Sequence, residues 1–286
     1  MSTTALTFSK FAVAGGAGRL GKFIAKGLLA HGAEVTVLSR SASTVVPDGA
    51  TVCVVDYGNA GSLKAALIGI EVVVSCLAGG GFGVQAALAD AAKAAGVKLF
   101  VPSEFGVDTS VLPRDHLLAG KQAFAEHLHS IGLPYTRYLT GWFADSTFIA
   151  PFGFDVPNKL ITIVGPGTYP VSFTGCPDIA HFVGYTLTRL PKKHLENQTL
   201  RIEGDKKTLL EVKGIFEKVY GGNFTMVHRD VEEVQKVVND KGAEAFLDLI
   251  LLTNPRGWTD LKVNDNQLVP EFKPTNVEGY LRKITA

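Results

Sequence analysis

Short apolar runs alternate with amphipathic stretches along the first half of the chain. An apolar run at 11–14 and the β-branched run EVTVLSR (34–40) enclose RLGKFIAKGLLAHG (19–32), in which apolar residues recur at helical spacing. Short apolar runs indicate buried strands, and apolar positions three or four residues apart indicate a helix. A strand, a helix and a strand within about thirty residues are typical of a parallel β–α–β unit.

The same alternation continues as far as residue 139. The pattern predicts further strands at 50–55, 71–76, 97–101 and 133–139, and helices at 60–68, 84–95 and 114–131. Strands that are apolar on both faces and alternate with helices form a parallel sheet that is covered on both sides. We therefore expect an α/β fold built on a doubly wound parallel sheet.

The pattern changes at residue 141. The stretch GWFADSTFIAPFGFDVP (141–157) is rich in aromatic residues and proline and has no clean period. Beyond it the sequence predicts strands at 159–164, 168–173, 200–204 and 224–228, and helices at 177–189, 207–219 and 230–252. We interpret residues 1–150 as one domain and residues 151–286 as a second, smaller α+β domain that is partly interleaved with the first and supplies the substrate wall.

Composition and charge exclude several functional classes. The chain has 286 residues, of which 46% are apolar and 19% are charged, and its net charge is +1. These values describe a globular chain with a large core, and the charge balance gives no reason to expect nucleic acid or a membrane surface as a partner. No apolar run approaches the ~18 residues that span a bilayer, and the polar start MSTTALTFSK leaves no room for a signal peptide. We expect a cytoplasmic monomer or homodimer.

The three cysteines do not form a recognisable site. Cys53, Cys76 and Cys176 are far apart, and no CxxC or Cys/His cluster accompanies them. This pattern is typical of buried, inert thiols in a reducing cytosol, so we expect no metal.

The segment GGAGRLG (15–21) lies between the first predicted strand and the first predicted helix. In this position Gly15 or Gly16 permits a tight turn, and Gly18 lets the backbone approach a pyrophosphate. Gly21 allows the helix to pack closely on the strand, and the helix N-terminus directs free N–H groups at phosphate. The arrangement favours a dinucleotide-binding Rossmann turn over an ordinary glycine-rich loop.

Ligands of such sheets bind beyond the carboxyl ends of the strands. The order of elements brings six features to that edge: the turn 15–21, Arg40, Asp56, the loop 78–83, and the strand ends 103–106 and 140–143.

The end of the second strand indicates which nucleotide is bound. NAD-binding folds usually carry an acidic residue there for the ribose 2′-OH, whereas this chain has Ser39 and Arg40. An arginine suits a 2′-phosphate, and Arg19 supplies a second cation in the glycine turn. We therefore expect NADP(H), although both arginines also fit a solvated surface. Asp56 suits either the adenine edge or a plain cap at the strand end.

The proton-handling group is less evident. No tyrosine has a lysine four residues later, and no Gly-x-Ser-x-Gly motif is present. Lys121 follows the PSEFG strand end, and Leu117, Leu118 and Phe124 indicate a partly buried helix face around it. A lysine whose pKa is lowered by burial can act as acid or base near neutral pH. Spacing alone favours a solvated helix lysine.

Several motifs together resemble one family. GGAGRLGKFIAKGLL, LSR, VPSEFG, the lysine of AGKQAFAEHL followed by GLPYT, and the closing EFKPTNVEGYL are similar, in register over almost the whole chain, to the isoflavone reductase-like proteins. These include phenylcoumaran benzylic ether and pinoresinol–lariciresinol reductases, within the NmrA-like branch of atypical short-chain dehydrogenases. The resemblance implies an NADPH-binding Rossmann domain, a small substrate domain and a catalytic lysine at Lys121.

The resemblance implies a set of binding residues as well. For the cofactor these are Gly15, Gly16, Ala17, Gly18, Arg19, Leu20, Gly21, Ser39, Arg40, Asp56, Leu77, Ala78, Gly79, Ser103, Glu104, Phe105, Lys121, Thr140, Gly141 and Phe143. For the substrate we expect Phe105, Trp142, Phe143, Phe148 and Phe152. The aromatic wall to which most of these belong is this chain's own and not a family feature, and we expect only two or three of its rings to touch the substrate. The glycine turn and TGWF (140–143) differ from the corresponding motifs of the plant reductases. These differences bear on the prediction of the substrate more than on the prediction of the cofactor.

Three functions follow from these observations. The first is an NADPH-dependent reductase that transfers hydride to a small aromatic substrate, a benzylic ether, an enone or a carbonyl, with Lys121 as general acid or base. The second is a quinone reductase on the same scaffold. The third is an NADP-binding sensor without turnover, against which the retained lysine argues.

Overall fold

A parallel sheet forms the first layer of the molecule. The computed structural model describes residues 6–77, 83–114 and 116–285. Five strands lie in the order β3-β2-β1-β4-β5, all parallel: β1 (Lys10–Ala14), β2 (Glu34–Ser39), β3 (Thr51–Val54), β4 (Val72–Ser75) and β5 (Leu99–Val101). A bridge between Phe100 and Tyr135 extends the sheet towards β6 (Thr136–Leu139). The predicted α/β fold with a doubly wound Rossmann-type sheet is confirmed.

Helices cover this sheet on both sides. In the first half they are α1 (Arg19–Ala30), α2 (Ala60–Ala66), α3 (Gln85–Ala94) and α4 (Gly120–Ser130). The helix predicted from 114 therefore starts six residues later. It is preceded by a 3₁₀ turn, Leu117–Ala119, whose Leu118 N–H donates to His116 Nδ1 at 3.2 Å.

The second half adds three small sheets. Its strands are β7 (Trp142–Phe143), β8 (Phe154–Asp155), β9 (Leu160–Val164), β10 (Pro170–Thr174), β11 (Gln198–Arg201), β12 (Asp205–Thr208) and β13 (Thr225–Arg229). They pair as β12-β10-β7, β13-β9-β8 and β11-β6. Its helices are α5 (Cys176–Arg189), α6 (Leu209–Tyr220), α7 (Val231–Lys241), α8 (Phe246–Leu251) and α9 (Val277–Thr285).

Two of the helices predicted for this half differ from the observed ones. The helix predicted over 230–252 is two helices, because a 3₁₀ turn at Gly242–Ala245 separates α7 from α8. The helix predicted from 207 begins at Leu209, because residues 205–208 form β12, which pairs antiparallel with β10. Thr208 then caps α6: its hydroxyl accepts from the Glu211 N–H, and the Glu211 carboxylate accepts from the Thr208 N–H.

The two halves share a core. Helix α5 packs along α1 where both carry glycine: a Cβ at Gly27 would lie 2.2 Å from the carbonyl oxygen of Ala180, and one at Gly184 would lie 2.6 Å from that of Gly27. Phe182 of α5 is fully buried in the same apolar cluster as Phe11 of β1. Residues beyond 150 therefore complete the core of the parallel sheet, and the division at 150 stays a prediction.

The start of α5 is held by the C-terminal segment. The Tyr280 hydroxyl donates to Asp178 Oδ2 at 2.7 Å, and the Thr275 N–H donates to the same oxygen at 3.0 Å. The Tyr280 ring fills the space beside Gly175, where a Cβ would lie 1.9 Å from its hydroxyl oxygen. The motif EFKPTNVEGYL thus packs α9 against the start of α5.

Candidate functional site

The glycine turn connects β1 to α1 at the carboxyl edge of the sheet. Gly15 has φ +76°, and a Cβ there would lie 2.8 Å from the carbonyl oxygen of Cys76, just beyond β4. A Cβ at Gly21 would lie 2.2 Å from the carbonyl oxygen of Gly15. Gly18 is exposed and caps α1 without a side chain, so the helix N-terminus is open to an anion. The turn therefore fits the backbone cradle that a pyrophosphate requires.

A hydroxyl-rich segment follows β2. The Ser39 hydroxyl contacts the Thr44 hydroxyl at 2.5 Å and accepts from the Ser41 N–H at 3.1 Å, and Arg40 is exposed beside them. Ser41 and Ser43 also share a hydrogen bond at 2.8 Å. We did not predict a role for 41–44, although the run SRSAST carries the signal: hydroxyls and a cation suit phosphate.

Two predicted nucleotide contacts have protein partners of their own. Asp56 Oδ1 accepts from the Gly58 N–H at 2.9 Å, as expected of the cap at a strand end. Arg19 Nη2 donates to the main-chain oxygen of Asp145 and lies 3.5 Å from its carboxylate. Asp145 Oδ1 also accepts from the Cys176 N–H at 3.1 Å. Arg19 therefore connects the glycine turn, through Asp145, to the first residue of α5.

The loop after β4 is described only in part. Leu77 is partly buried beside the glycine turn. Ala78 and Gly79, also predicted to contact the cofactor, lie outside the described residues.

Lys121 lies on the first turn of α4 and points at the strand end 103–106. Its Nζ donates to the main-chain oxygen of Glu104 at 3.0 Å. Burial lowers the pKa of Lys121, the Glu104 carboxylate opposes this change, and Arg137 adds to it. The predicted apolar flank is present in part, because Leu118 and Phe124 are partly buried whereas Leu117 is 52% exposed. The ammonium of Lys121 is closer to giving up a proton than one in water.

The Glu104 side chain turns away from the lysine into the protein. Its carboxylate is 1% exposed, accepts from the Thr109 hydroxyl at 3.2 Å and lies 3.5 Å from Nε of Arg137. Arg137 Nη2 also donates to the Thr109 hydroxyl at 3.1 Å and lies 3.6 Å from Asp108. Asp108 in turn accepts from Arg201 at 3.1 Å. This network fixes the PSEFG segment, so Glu104 presents its main chain to the site.

The strand end 140–143 joins the same segment. The N–H groups of Thr140 and Gly141 both donate to the Gly106 carbonyl, at 2.9 and 3.0 Å. Gly141 has φ +64°, and a Cβ there would lie 2.0 Å from the carbonyl oxygen of Ser172. The Ser103 N–H donates to Gln85 Oε1 at 3.1 Å. The close approach of β7 to β10 thus requires glycine at 141.

These segments surround a cavity of about 200 Å³, here called the aromatic cavity. Six predicted site residues line it: Phe105, Lys121, Gly141, Trp142, Phe143 and Phe152. Its other lining side chains, which the sequence analysis missed, include Thr109, Leu118, Ser146, Thr147, Phe246 and Ile250. Phe246 and Ile250 are four residues apart on α8, a helical spacing that signals one face but not which cavity that face covers.

Lys121 also lines a second cavity, of about 310 Å³, between the starts of α3 and α4. Gln85 and Phe124 are among its other walls, and it opens beside the partly described loop after β4. Lys121 therefore stands between the aromatic cavity and the carboxyl edge of the sheet.

Phe148 requires a correction. We expected it in the substrate wall, but it is 5% exposed and absent from the lining of the aromatic cavity. Its ring packs against Phe154, Phe173 and Phe216 at centroid distances of 5.2–5.7 Å. Phe154, part of the same aromatic run, is buried with it.

His116 lies at a separate cavity lined also by Trp258, whose ring it meets edge-on at 5.4 Å. Within the described ranges, no helix is long and apolar enough to cross a membrane.

The chain is similar to several known proteins over almost its whole length. The chain is 28% identical to isoflavone reductase homolog P3 of Arabidopsis thaliana, covering 96% of this chain and 97% of that protein. It is 28% identical to phenylcoumaran benzylic ether reductase TP7 of Nicotiana tabacum, with the same coverage. The structure of AtPrR2 with NADP⁺ and (+)-pinoresinol superposes with a TM-score of 0.81 at 25% identity, covering 96% of this chain and 98% of that one.

A family model spans almost the whole described structure. The NmrA-like family model matches residues 7–281, from just before β1 to the last helix. The protein belongs to the NmrA-like family.

Proposed function

We propose that this protein is an NADPH-dependent reductase of a small aromatic substrate and that Lys121 handles the proton. The observation that carries the proposal is the position of Lys121, between an apolar aromatic cavity and the edge where the glycine turn lies. Relatives that are named as reductases, and a neighbour solved with NADP⁺, support it.

The residues present fit the cofactor. The glycine turn offers the cradle for a pyrophosphate, and the segment 39–44 offers a guanidinium and hydroxyls to a 2′-phosphate. When bound, NADPH supplies a hydride to the substrate. The walls of the aromatic cavity are mostly apolar, and Lys121 holds a proton at Nζ.

The proton is needed because cleavage of an ether or reduction of a carbonyl leaves an oxygen anion. Protonation of that oxygen by Nζ avoids an unassisted alkoxide or phenoxide, and the Glu104 carbonyl keeps Nζ in place. A lysine whose pKa burial has lowered gives its proton up more readily.

Replacement of the lysine tests this role. In Lys121→Met, turnover of an ether or carbonyl should fall by roughly 10²–10⁴, while NADPH affinity stays nearly unchanged. Methionine keeps the apolar stem, so the loss would report the ammonium. Lys236→Met, the same change at an exposed lysine of α7, is the control and should leave turnover unchanged. Turnover by Lys121→Met at the level of the unmodified protein would refute the proposal.

Quinone reduction is the second candidate, and the aromatic cavity favours it in one respect. Among the described residues that line the cavity, Lys121 is the one titratable group, so a substrate that needs a donated proton depends on this single amine. A hydroquinone anion can take its proton from water. Lys121→Met should therefore reduce quinones almost as well as the unmodified protein does, and ethers far more slowly. Failure to oxidise NADPH with ethers, enones, carbonyls and quinones alike would favour a sensor.

A further inference from the structure

The aromatic cavity is small for a site in this fold. It encloses about 200 Å³, whereas ligand sites commonly enclose roughly 300–1,000 Å³. A dry apolar cavity of about 150 Å³ is known to accept benzene. One substituted ring therefore fills the cavity, and a second ring would have to lie at or beyond its open side.

One wall of the aromatic cavity is rigid. Trp142 is 5% exposed, lies in β7 opposite Phe173 of β10, and packs edge-to-face on that ring. Its indole Nε1 donates to the Thr253 hydroxyl at 3.2 Å. A strand pairing, a hydrogen bond and a ring contact hold the indole, so the cavity cannot expand on this side by rotation of Trp142.

The polar groups of the cavity are few. In the part of the chain that the structure describes, the hydroxyls of Ser146 and Thr147 have no hydrogen-bond partner, and both residues line the cavity. Lys121 is on another element, α4. The apolar walls suit the face of a ring, and the hydroxyls and Nζ suit oxygen substituents on it.

We infer that the aromatic cavity takes an oxygen-substituted compound with a single ring, a phenolic ether or a quinone, and that Trp142 excludes compounds with two rings. This inference rests on the proposed function, because it concerns the substrate of the same site. Trp142 is the residue that determines specificity for size.

Binding can be measured without turnover. The chain has two tryptophans, and Trp258 lies at the separate cavity beside His116. In a Trp258→Phe background, the fluorescence of Trp142 alone reports occupation of the aromatic cavity. We expect methoxyphenols and benzoquinones to quench it with at least tenfold higher affinity than pinoresinol, with and without NADP⁺.

Enlargement of the cavity is the second arm. Trp142→Leu, assayed by calorimetric titration, should lower the preference for one ring at least tenfold. Phe148→Leu removes a ring from the adjacent core and should leave the preference intact, which separates cavity size from general loosening. If Trp142→Leu does not fold, Trp142→Phe should lower the preference by a smaller factor.

The outcomes separate the two proposals. Binding of single-ring compounds without NADPH oxidation would refute the proposed reductase and leave this inference standing. Equal affinity for one-ring and two-ring compounds, no binding of either, or an unchanged preference after Trp142→Leu would overturn the inference.

Discussion

At the scale of single residues, the proposed chemistry depends on one amine, and the charged groups that act on it lie inside the protein, away from the cavity. Lys121 contacts the main chain of Glu104, and the carboxylate of Glu104 is paired inside the protein with Arg137. The carboxylate alone would favour the charged ammonium, but Arg137 counteracts it, and burial then lowers the pKa of the lysine. Burial is therefore the main cause of the lowered pKa, and the ion pair of Glu104 and Arg137, which does not line the cavity, adds two opposing effects.

The sign of this shift predicts a pH profile. A general acid must be protonated, so turnover of an ether or carbonyl should fall as pH rises through the pKa of Lys121. Because burial lowers that pKa, the midpoint should lie below the ordinary lysine value of about 10.4.

The measurement is kcat against pH from neutral upward. In Lys121→Arg the alkaline limb should vanish from whatever rate remains, since a guanidinium stays charged. A limb at the same pH in that variant would assign it to another group.

The second residue-scale prediction concerns Arg40. If this exposed guanidinium meets a 2′-phosphate, Arg40→Asp should weaken NADPH binding on the order of 10²-fold, because an attraction becomes a repulsion. NADH, which has no 2′-phosphate, should change only a few-fold. Arg40→Lys keeps the charge and should keep the preference. Equal affinity of the unmodified protein for NADPH and NADH, measured by titration, would contradict the prediction.

At the scale of secondary-structure elements, the crossing of α1 and α5 ties the two halves together. Gly27 leaves no space for a Cβ, since the carbonyl of Ala180 would be 2.2 Å away. Gly27→Ala should therefore lower the free energy of unfolding by about 1–3 kcal/mol.

A matched substitution separates crowding from helix propensity. Gly214, inside α6, has nothing within 4 Å of an added Cβ, so Gly214→Ala should raise the free energy of unfolding by about 0.5–1 kcal/mol. Denaturant titration of both variants measures the two values. Stabilisation by Gly27→Ala would show that the helices can separate without cost.

The elements of the first half are predictable from the sequence because their signals are local. Apolar runs mark β1 to β5: β2 to β5 lie within their predicted ranges, and β1 begins one residue before its range. The local signal fails where contacts with distant parts of the chain determine the secondary structure. DKKT (205–208) is polar, yet it is a strand because it pairs with the edge of β10. Similarly, the start of α4 depends on the cap that His116 provides to the preceding turn.

The candidate site is predictable to the same degree. The turn and the strand ends follow from sequence order, since parallel strands bring their ends to one edge. Lys121 follows only from the family resemblance, because spacing alone favours a solvated lysine. Phe148 and Phe152 show the limit: both belong to one aromatic run, yet only Phe152 lines the cavity. Phe246 was missed because its helix comes from the far end of the chain.

At the scale of the whole molecule, the parallel sheet needs residues from both halves. The fully buried Ile24 and Leu28 of α1 share one core cluster with Phe182 and Val183 of α5. A fragment of residues 1–150 should therefore lack cooperative thermal unfolding and expose apolar surface, whereas the full chain should unfold cooperatively. Circular dichroism and dye binding measure both. A cooperative transition in the fragment would show that the first half folds alone.

The closure of the C-terminal segment onto α5 has a consequence for synthesis. Tyr280 follows its partner Asp178 by 102 positions, and His181 of α5 follows its neighbour His31 by 150. Contacts between such distant positions form late, because a long loop must close first. During synthesis on the ribosome, α1 cannot complete its packing before α5 has emerged, and the start of α5 is not fixed before Tyr280 has emerged. The nascent protein therefore lacks the contact that fixes the start of α5 until nearly all of its chain has emerged, and we expect chaperones to matter most to it in that interval.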